Sequence, residues 1–482
     1  MTDIFDLFAS ATSMLAALQL RHISAVELLD YHLQRIARFN PSLNAIVIPN
    51  FEQARQAAAE ADAARTAGHD APLLGLPITL KDTIDVAGLR STAGVESFAD
   101  YRATVDAPLT AQLRSAGAII IGKTNVPPWT ADWQTSNPLF GRSNNPWDLS
   151  RTPGGSTGGG AAAVAAALTP LEFGTDLAGS IRIPAAFCGI CGHKPSETAV
   201  PRSGLFPGAT LPNAATAFAV ADPLARSAPD LDLALTTMVG ADIGEDTAWQ
   251  LTFPPARHMH LAEYRIAVLP SLDWVPIDDQ IAIALERLTS NLRQLGASVA
   301  VVPSDLPANM SDIYELYLSL FWALSSTQQP IEERQRDANE LFATQDRALV
   351  ACARGLIASA ADYIQWHRQR EHYRAAYRSF FRDWDVLLTP VNITSAFPHT
   401  ETAQQDYLEI NGCRVNYSLQ SVYPAIATLT GHPATVFPIG LSESGLPIGL
   451  QAIGPYLEDR TPIAFADLVA QEFGGFVSPP GY

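Results

Sequence analysis

Seven glycines crowd into 26 residues, at Gly154, Gly155, Gly158, Gly159, Gly160, Gly174 and Gly179, within the run GGSTGGGAAAVAAALTPLEFGTDLAGSIR that spans residues 154–182. Glycine lets neighbouring groups approach the backbone and opens unusual φ/ψ, so this density exceeds what plain connecting turns need. A helix over about residues 158–168 climbs about 16 Å, and an extended run over residues 170–175 returns at about 3.3 Å per residue. The spacing therefore predicts Ser156 and Ser180 at one edge of the fold. A neutral serine hydroxyl becomes a nucleophile only when a base takes its proton, so the chain must supply one.

Residues 154–158 satisfy the GxSxG pattern of a nucleophile elbow, but an elbow needs a strand leading into the serine, and residues 144–153 read NNPWDLSRTP, a run of turn formers. That reading would also require His399 or His432, which adjoin prolines and read as surface histidines. The other base is Lys81, at the end of the apolar run 74–80 in LLGLPITLKDTIDVAG. Together with GKTNVP (122–127), GRSNNPW (141–147), PGGSTGGG, GTDLAGSIRIPAAFCGICGHKP (174–195) and GLPIGLQAIGP (445–455), that segment resembles the amidase signature family, from the first helices to about Tyr456.

The resemblance implies a Ser-Ser-Lys triad. Ser180 is the expected nucleophile, Ser156 the proton relay following a cis peptide bond, and Lys81 the base. Backbone N–H groups of Leu177, Ala178, Gly179 and Ser180 would form the oxyanion hole, with Asp176, Arg182 and Thr157 as supports. A lysine base must be neutral, which at pH 7 costs about 4.6 kcal/mol, so burial must disfavour the ammonium. Three positions depart from the family pattern: Thr157 replaces a serine, Ala178 a glycine, and His193 stands where leucine is commoner. His193 reads as a packing residue.

The segment NVPPWTADWQTSNPLF (125–140) is similar to the fatty acid amide hydrolase branch, which implies Trp129, Thr130 and Trp133 as substrate-pocket residues. The expected activity is hydrolysis of a small, largely apolar aryl or alkyl amide, with esters and carbamates as side substrates. Two alternatives stand beside it. One is the glutaminase-type subunit of a tRNA-dependent amidotransferase, against which Ile183 counts, because it cannot hydrogen-bond glutamine. The other is a catalytically inactive binding protein on the same fold, against which the presence of Lys81, Ser156 and Ser180 counts.

Other motifs carry less. GAIIIGKT (117–124) matches the Walker A letters, but its variable positions form an apolar β-type run where a P-loop needs a phosphate-cradling loop. Cys188 and Cys191 form a lone CxxC, short of the four ligands of a zinc site, and His258 and His260 sit in a proline-rich linker. No metal or cofactor is expected. The net charge of −18, from 31 basic and 49 acidic residues, argues against nucleic acid. Four cysteines without a disulfide pattern, an acidic N-terminus and the lack of an 18-residue apolar run predict a cytoplasmic protein away from membranes. The expected partner is the small amide substrate, with homodimerisation left open.

Helical periodicity covers residues 11–39 as two helices, the second opening on a capping box at Ser24 and Glu27 and stopping at Asn40-Pro41. A strand (44–48) and a helix (52–67) follow. Strands at 118–121, 265–269 and 298–302 then alternate with helices such as 278–295. This alternation predicts an α/β fold, and the resemblance implies a large mixed central sheet flanked by helices on both faces. The whole chain reads as one domain, with an N-terminal helical wrap (1–70), a signature core (71–230) and a variable helical pocket region (308–384) rich in aromatics.

Overall fold

The computed structural model describes residues 6–211, 213, 216–242, 244–245, 247–400 and 407–482. Its centre is an 11-stranded sheet in the order Ile46–Pro49, Ile119–Thr124, Pro77–Lys81, Leu171–Asp176, Val220–Ala225, Cys191–Lys194, Ala434–Leu441, Pro447–Ile453, Val386–Pro390, Arg265–Val268 and Ser298–Val301. The sheet is mixed. Pro77–Lys81 runs parallel to both of its neighbours, whereas Leu171–Asp176 pairs antiparallel with Val220–Ala225.

Successive strand residues face opposite sides of a sheet, and the core divides accordingly. Ile266, Val268, Val386 and Leu388 belong to one apolar cluster, Ala267, Leu269 and Leu387 to the other. Helices Ala25–Leu43, Ala228–Met238 and Asp279–Gln294 pack on the first side. Helices Arg182–Cys188, Met310–Ser325 and Val422–Thr430 pack on the second. The mixed sheet with helices on both faces matches the expected α/β architecture.

The element boundaries differ from the sequence reading in instructive places. The helix capped by Ser24 does not stop at Asn40-Pro41 but runs Ala25–Leu43 with Pro41 inside it. Pro41 sits in the last turn, where it forfeits the one bond its N–H would give to the Ala37 carbonyl, and the helix ends within two residues of it. Asn40 Oδ1 accepts from the N–H groups of Ala45 (3.0 Å) and Ile46 (2.9 Å), and Asn44 closes the helix in the left-handed conformation at φ 48°. In the Walker-like segment, Gly122, Lys123 and Thr124 all lie within strand Ile119–Thr124. Lys123 is buried and pairs with Asp82 at 3.2 Å, which commits it to the core.

Of the aromatic residues in 308–384, Tyr314, Tyr317, Tyr377, Phe380 and Phe381 are buried. They share the core cluster that contains Ile181 and Ile183, just after Ser180. No helix among the described residues is long and apolar enough to cross a membrane.

Candidate active site

Two strands and a helix start bring the expected residues together. Pro77–Lys81 and Leu171–Asp176 run parallel in register, Leu80 opposite Phe173, so both deliver their C-terminal residues to the same edge of the sheet. Helix Gly158–Ala165 begins beside them, directly after Ser156 and Thr157. The Gly155–Ser156 peptide bond is cis. A Cβ on Gly155 would collide with the carbonyl oxygen of Asp132 and lie 2.9 Å from that of Gln134, so only glycine fits there. Gly179 has φ +93°, a conformation that side chains other than glycine rarely take.

Lys81 is fully buried, and its Nζ lies 2.7 Å from Ser156 Oγ, 2.9 Å from Thr175 Oγ1 and 3.2 Å from the Thr175 carbonyl. Burial brings its ammonium down to about 7, against the pull of Asp176, Asp222 and Glu172. The Ser156 and Ser180 turns are joined through the backbone, where the Thr157 N–H donates to the Ser180 carbonyl at 3.1 Å. Ser180 is 7% exposed, and its hydroxyl has no hydrogen-bond partner among the described residues. Lys81 and Ser156 are thus hydrogen-bonded, whereas the two serine turns meet through the Thr157–Ser180 backbone bond, with no hydrogen bond between Ser156 and Ser180 themselves among the described residues.

Asp176 and Arg182 lock the Ser180 turn from beneath. The carboxylate accepts from Arg182 Nη2 (2.9 Å) and Nε (3.0 Å) and from the Gly179 N–H (2.8 Å). Burial alone would raise this carboxyl; Arg182 outweighs it and holds the group at about 2. Arg182 also donates to the Pro424 carbonyl, Gln451 Oε1 and Thr428 Oγ1, each at 2.9 Å. Of the four expected oxyanion donors, the Gly179 N–H is therefore occupied. Those of Leu177, Ala178 and Ser180 have no acceptor among the described residues. Thr157 has its Oγ1 buried and unpartnered, next to Gly174.

The three expected pocket residues separate. Trp133 lies against the turn, its indole N–H donating to the Ala178 carbonyl at 3.0 Å and its ring meeting Tyr417 edge-to-face at 5.2 Å. Trp129 is 50% exposed and stacks on Phe206 at 6.2 Å with Phe98 alongside, in an aromatic group of its own. Thr130 is half-buried beside it at φ 58°. Ile183 is fully buried and packs beneath Gly179, so it supports the turn and offers a substrate no surface. The sequence argument that set Ile183 against glutamine therefore fails.

His193 is buried, with Nδ1 2.9 Å from Thr435 Oγ1 and Nε2 3.3 Å from Asp459 Oδ1, a packing role as expected. His432 is not the surface histidine its proline neighbour suggested. It is buried among Tyr377, Phe381 and Tyr456, and burial pushes it down to about 3. Cys188 and Cys191 are buried thiols, and no cluster of three or more metal-binding side chains occurs among the described residues.

Sequence reasoning overlooked Thr175, although it lies inside the GTD run, and Asp132 and Tyr417 on the rim. Tyr417 comes from a distant stretch of chain and has no local signal. Its hydroxyl donates to Asp132 Oδ1 at 2.6 Å.

The Amidase family profile matches residues 27–462. The chain belongs to the amidase signature family. It is accordingly an amidase, a hydrolase of amide C–N bonds. It is 32% identical to a glutamyl-tRNA(Gln) amidotransferase subunit of Roseiflexus castenholzii (strain DSM 13941 / HLO8), over 97% of this chain and 96% of that protein. The solved 6-aminohexanoate cyclic dimer hydrolase is 25% identical, covers 99% of both chains and superposes with a TM-score of 0.80. A solved fatty acid amide hydrolase, 21% identical over 98% of this chain and 86% of its own, shares the amidase fold at a TM-score of 0.78.

Proposed function

We propose that this amidase hydrolyses its substrate through an acyl-enzyme on Ser180. The observation that carries the reading is the fully buried Lys81 amine at 2.7 Å from Ser156 Oγ, in a turn tied to that of Ser180. Ser180 Oγ attacks the amide carbonyl carbon while its proton passes to Ser156, whose own proton moves to neutral Lys81. The tetrahedral oxyanion is received by the free N–H groups of Leu177, Ala178 and Ser180; removing one such donor typically costs about 3 to 4 kcal/mol of barrier. Lys81 returns its proton through Ser156 to the leaving nitrogen, the C–N bond breaks, and water then cleaves the Ser180 ester to release the acid. Asp176 and Arg182 hold the turn in shape throughout.

The half-buried rim residues Trp133, Leu177 and Ala178 favour a small amide with an apolar flank next to the scissile bond. A second reading, the glutaminase-type subunit of a tRNA-dependent amidotransferase, is favoured by the likeness to glutamyl-tRNA(Gln) amidotransferase subunits, 32% and 30% identical in two cases. With Ile183 sealed beneath the turn, nothing in that motif opposes it. Relative rates of the isolated chain on anilides, aliphatic amides, esters, carbamates and L-glutamine separate the two. Turnover of anilides or aliphatic amides supports the first, and turnover of glutamine alone supports the second. Ser180→Ala should abolish every one of these activities; any that survives in that variant refutes the nucleophile assignment.

A further inference from the structure

Asp132 occupies a bridging position at the rim. Its carbonyl oxygen packs on Gly155, the residue before Ser156, and the next side chain, Trp133, is bonded to the carbonyl of Ala178 in the Ser180 turn. Its carboxylate is half-buried and receives the Tyr417 hydroxyl on Oδ1. No side chain among the described residues hydrogen-bonds Oδ2, and none forms an ion pair with this carboxylate. Several buried carboxylates have a cation: Asp176 has Arg182, Asp82 has Lys123, and Glu197 has Arg370 and Arg374. Glu172, Asp222, Asp85 and Asp230 also lack an ion-pair partner among the described residues, but they are all but sealed from solvent, whereas Asp132 is half-buried.

The surroundings of Asp132 suit a cation. Trp133 and Tyr417 meet edge-to-face beside it, and aromatic faces attract ammonium groups through their quadrupoles. A carboxylate held by a phenol and flanked by an indole has the chemistry of an amine-recognition site. We propose that Asp132 is a specificity-determining residue that binds an ammonium group of the substrate, so that the preferred substrates are amides bearing a protonated amine within a few bonds of the scissile carbonyl. This rests on the Ser180 reading. The ammonium has two candidate sources, a simple amino-amide or the α-amino group of glutamine.

The test compares β-alanine anilide with propionanilide, which lacks only the amine, and adds L-glutamine as a third arm, all with the full chain. The amine-bearing anilide should be preferred by about tenfold or more in kcat/KM, mostly through KM. Asp132→Asn should collapse that preference, and Asp132→Glu, which keeps the charge, should restore part of it. Glutamine hydrolysis that falls in Asp132→Asn would support the inference with glutamine as the source. Equal or better turnover of propionanilide by the parent, or a preference that survives in Asp132→Asn, would overturn it and show that Asp132 merely anchors Tyr417. Fluorophosphonate labelling of Ser180 separates the two claims. A chain that labels at Ser180 but acts on none of the three substrates overturns the ammonium site alone, and a chain that neither labels nor acts overturns the Ser180 reading as well.

Discussion

The chemistry turns on the protonation state of one side chain. Burial brings Lys81 down to about 7, so its neutral form grows as pH rises through that value. With a neutral lysine as the required base, kcat/KM on a neutral anilide should climb about tenfold per unit below pH 7 and level off above it; a profile flat between pH 5.5 and 8.5 would contradict Lys81 as the base. Lys81→Met should remove turnover at every pH. Two glycine-rich turns and the end of an apolar run marked Ser156, Ser180 and Lys81 as candidates, while the roles proposed for them came from the family resemblance. Ile183 was misjudged because sequence gives no orientation: the helix Arg182–Cys188 turns that side chain under Gly179. Trp129 and Trp133 were equal candidates by type, and tertiary packing alone separated them.

The long helix Ala360–Asp383 packs Tyr377, Phe380 and Phe381 into the core, and a single carboxylate pins two of its arginines there. Glu197 accepts from Arg370 and from Arg374, and Arg370 also reaches the Leu429 carbonyl at 2.7 Å. Burial would raise Glu197, but the two arginines hold it at about 2. Its contribution is therefore complete above the unfolded value of about 4.3 and fades as pH falls toward 2. Glu197→Ala leaves the buried Arg370 guanidinium without a counter-ion, and Arg374 with only the exposed Glu371 at 3.3 Å, and should cost about 3 to 5 kcal/mol, read from urea unfolding at pH 7. A loss below about 1 kcal/mol would mean that the helix is held by its apolar contacts. Helix and strand types were mostly readable from periodicity, and the Walker-like letters were set aside because the apolar run Ile119–Ile121 lies inside a fully buried strand. The boundary at Pro41 was not readable, since it depends on Asn40 bonding the backbone beyond the helix end.

At the scale of the whole molecule, the mixed sheet was inferable in kind but not in order. Strand order is set by pairings between distant segments, such as Ala434–Leu441 inserted between Cys191–Lys194 and Pro447–Ile453. The net charge of −18 makes direct binding to a phosphate backbone unfavourable. A gel shift with the isolated chain and tRNA at about 150 mM salt should show no complex; a salt-sensitive shift would contradict that expectation. The central claim is a covalent intermediate on Ser180, and intact-mass spectrometry after fluorophosphonate treatment tests it most directly. One adduct per chain is expected, on the peptide containing Ser180, with no adduct in Ser180→Ala and much slower labelling in Lys81→Met. An adduct on any other residue, or labelling that persists in Ser180→Ala, would contradict it.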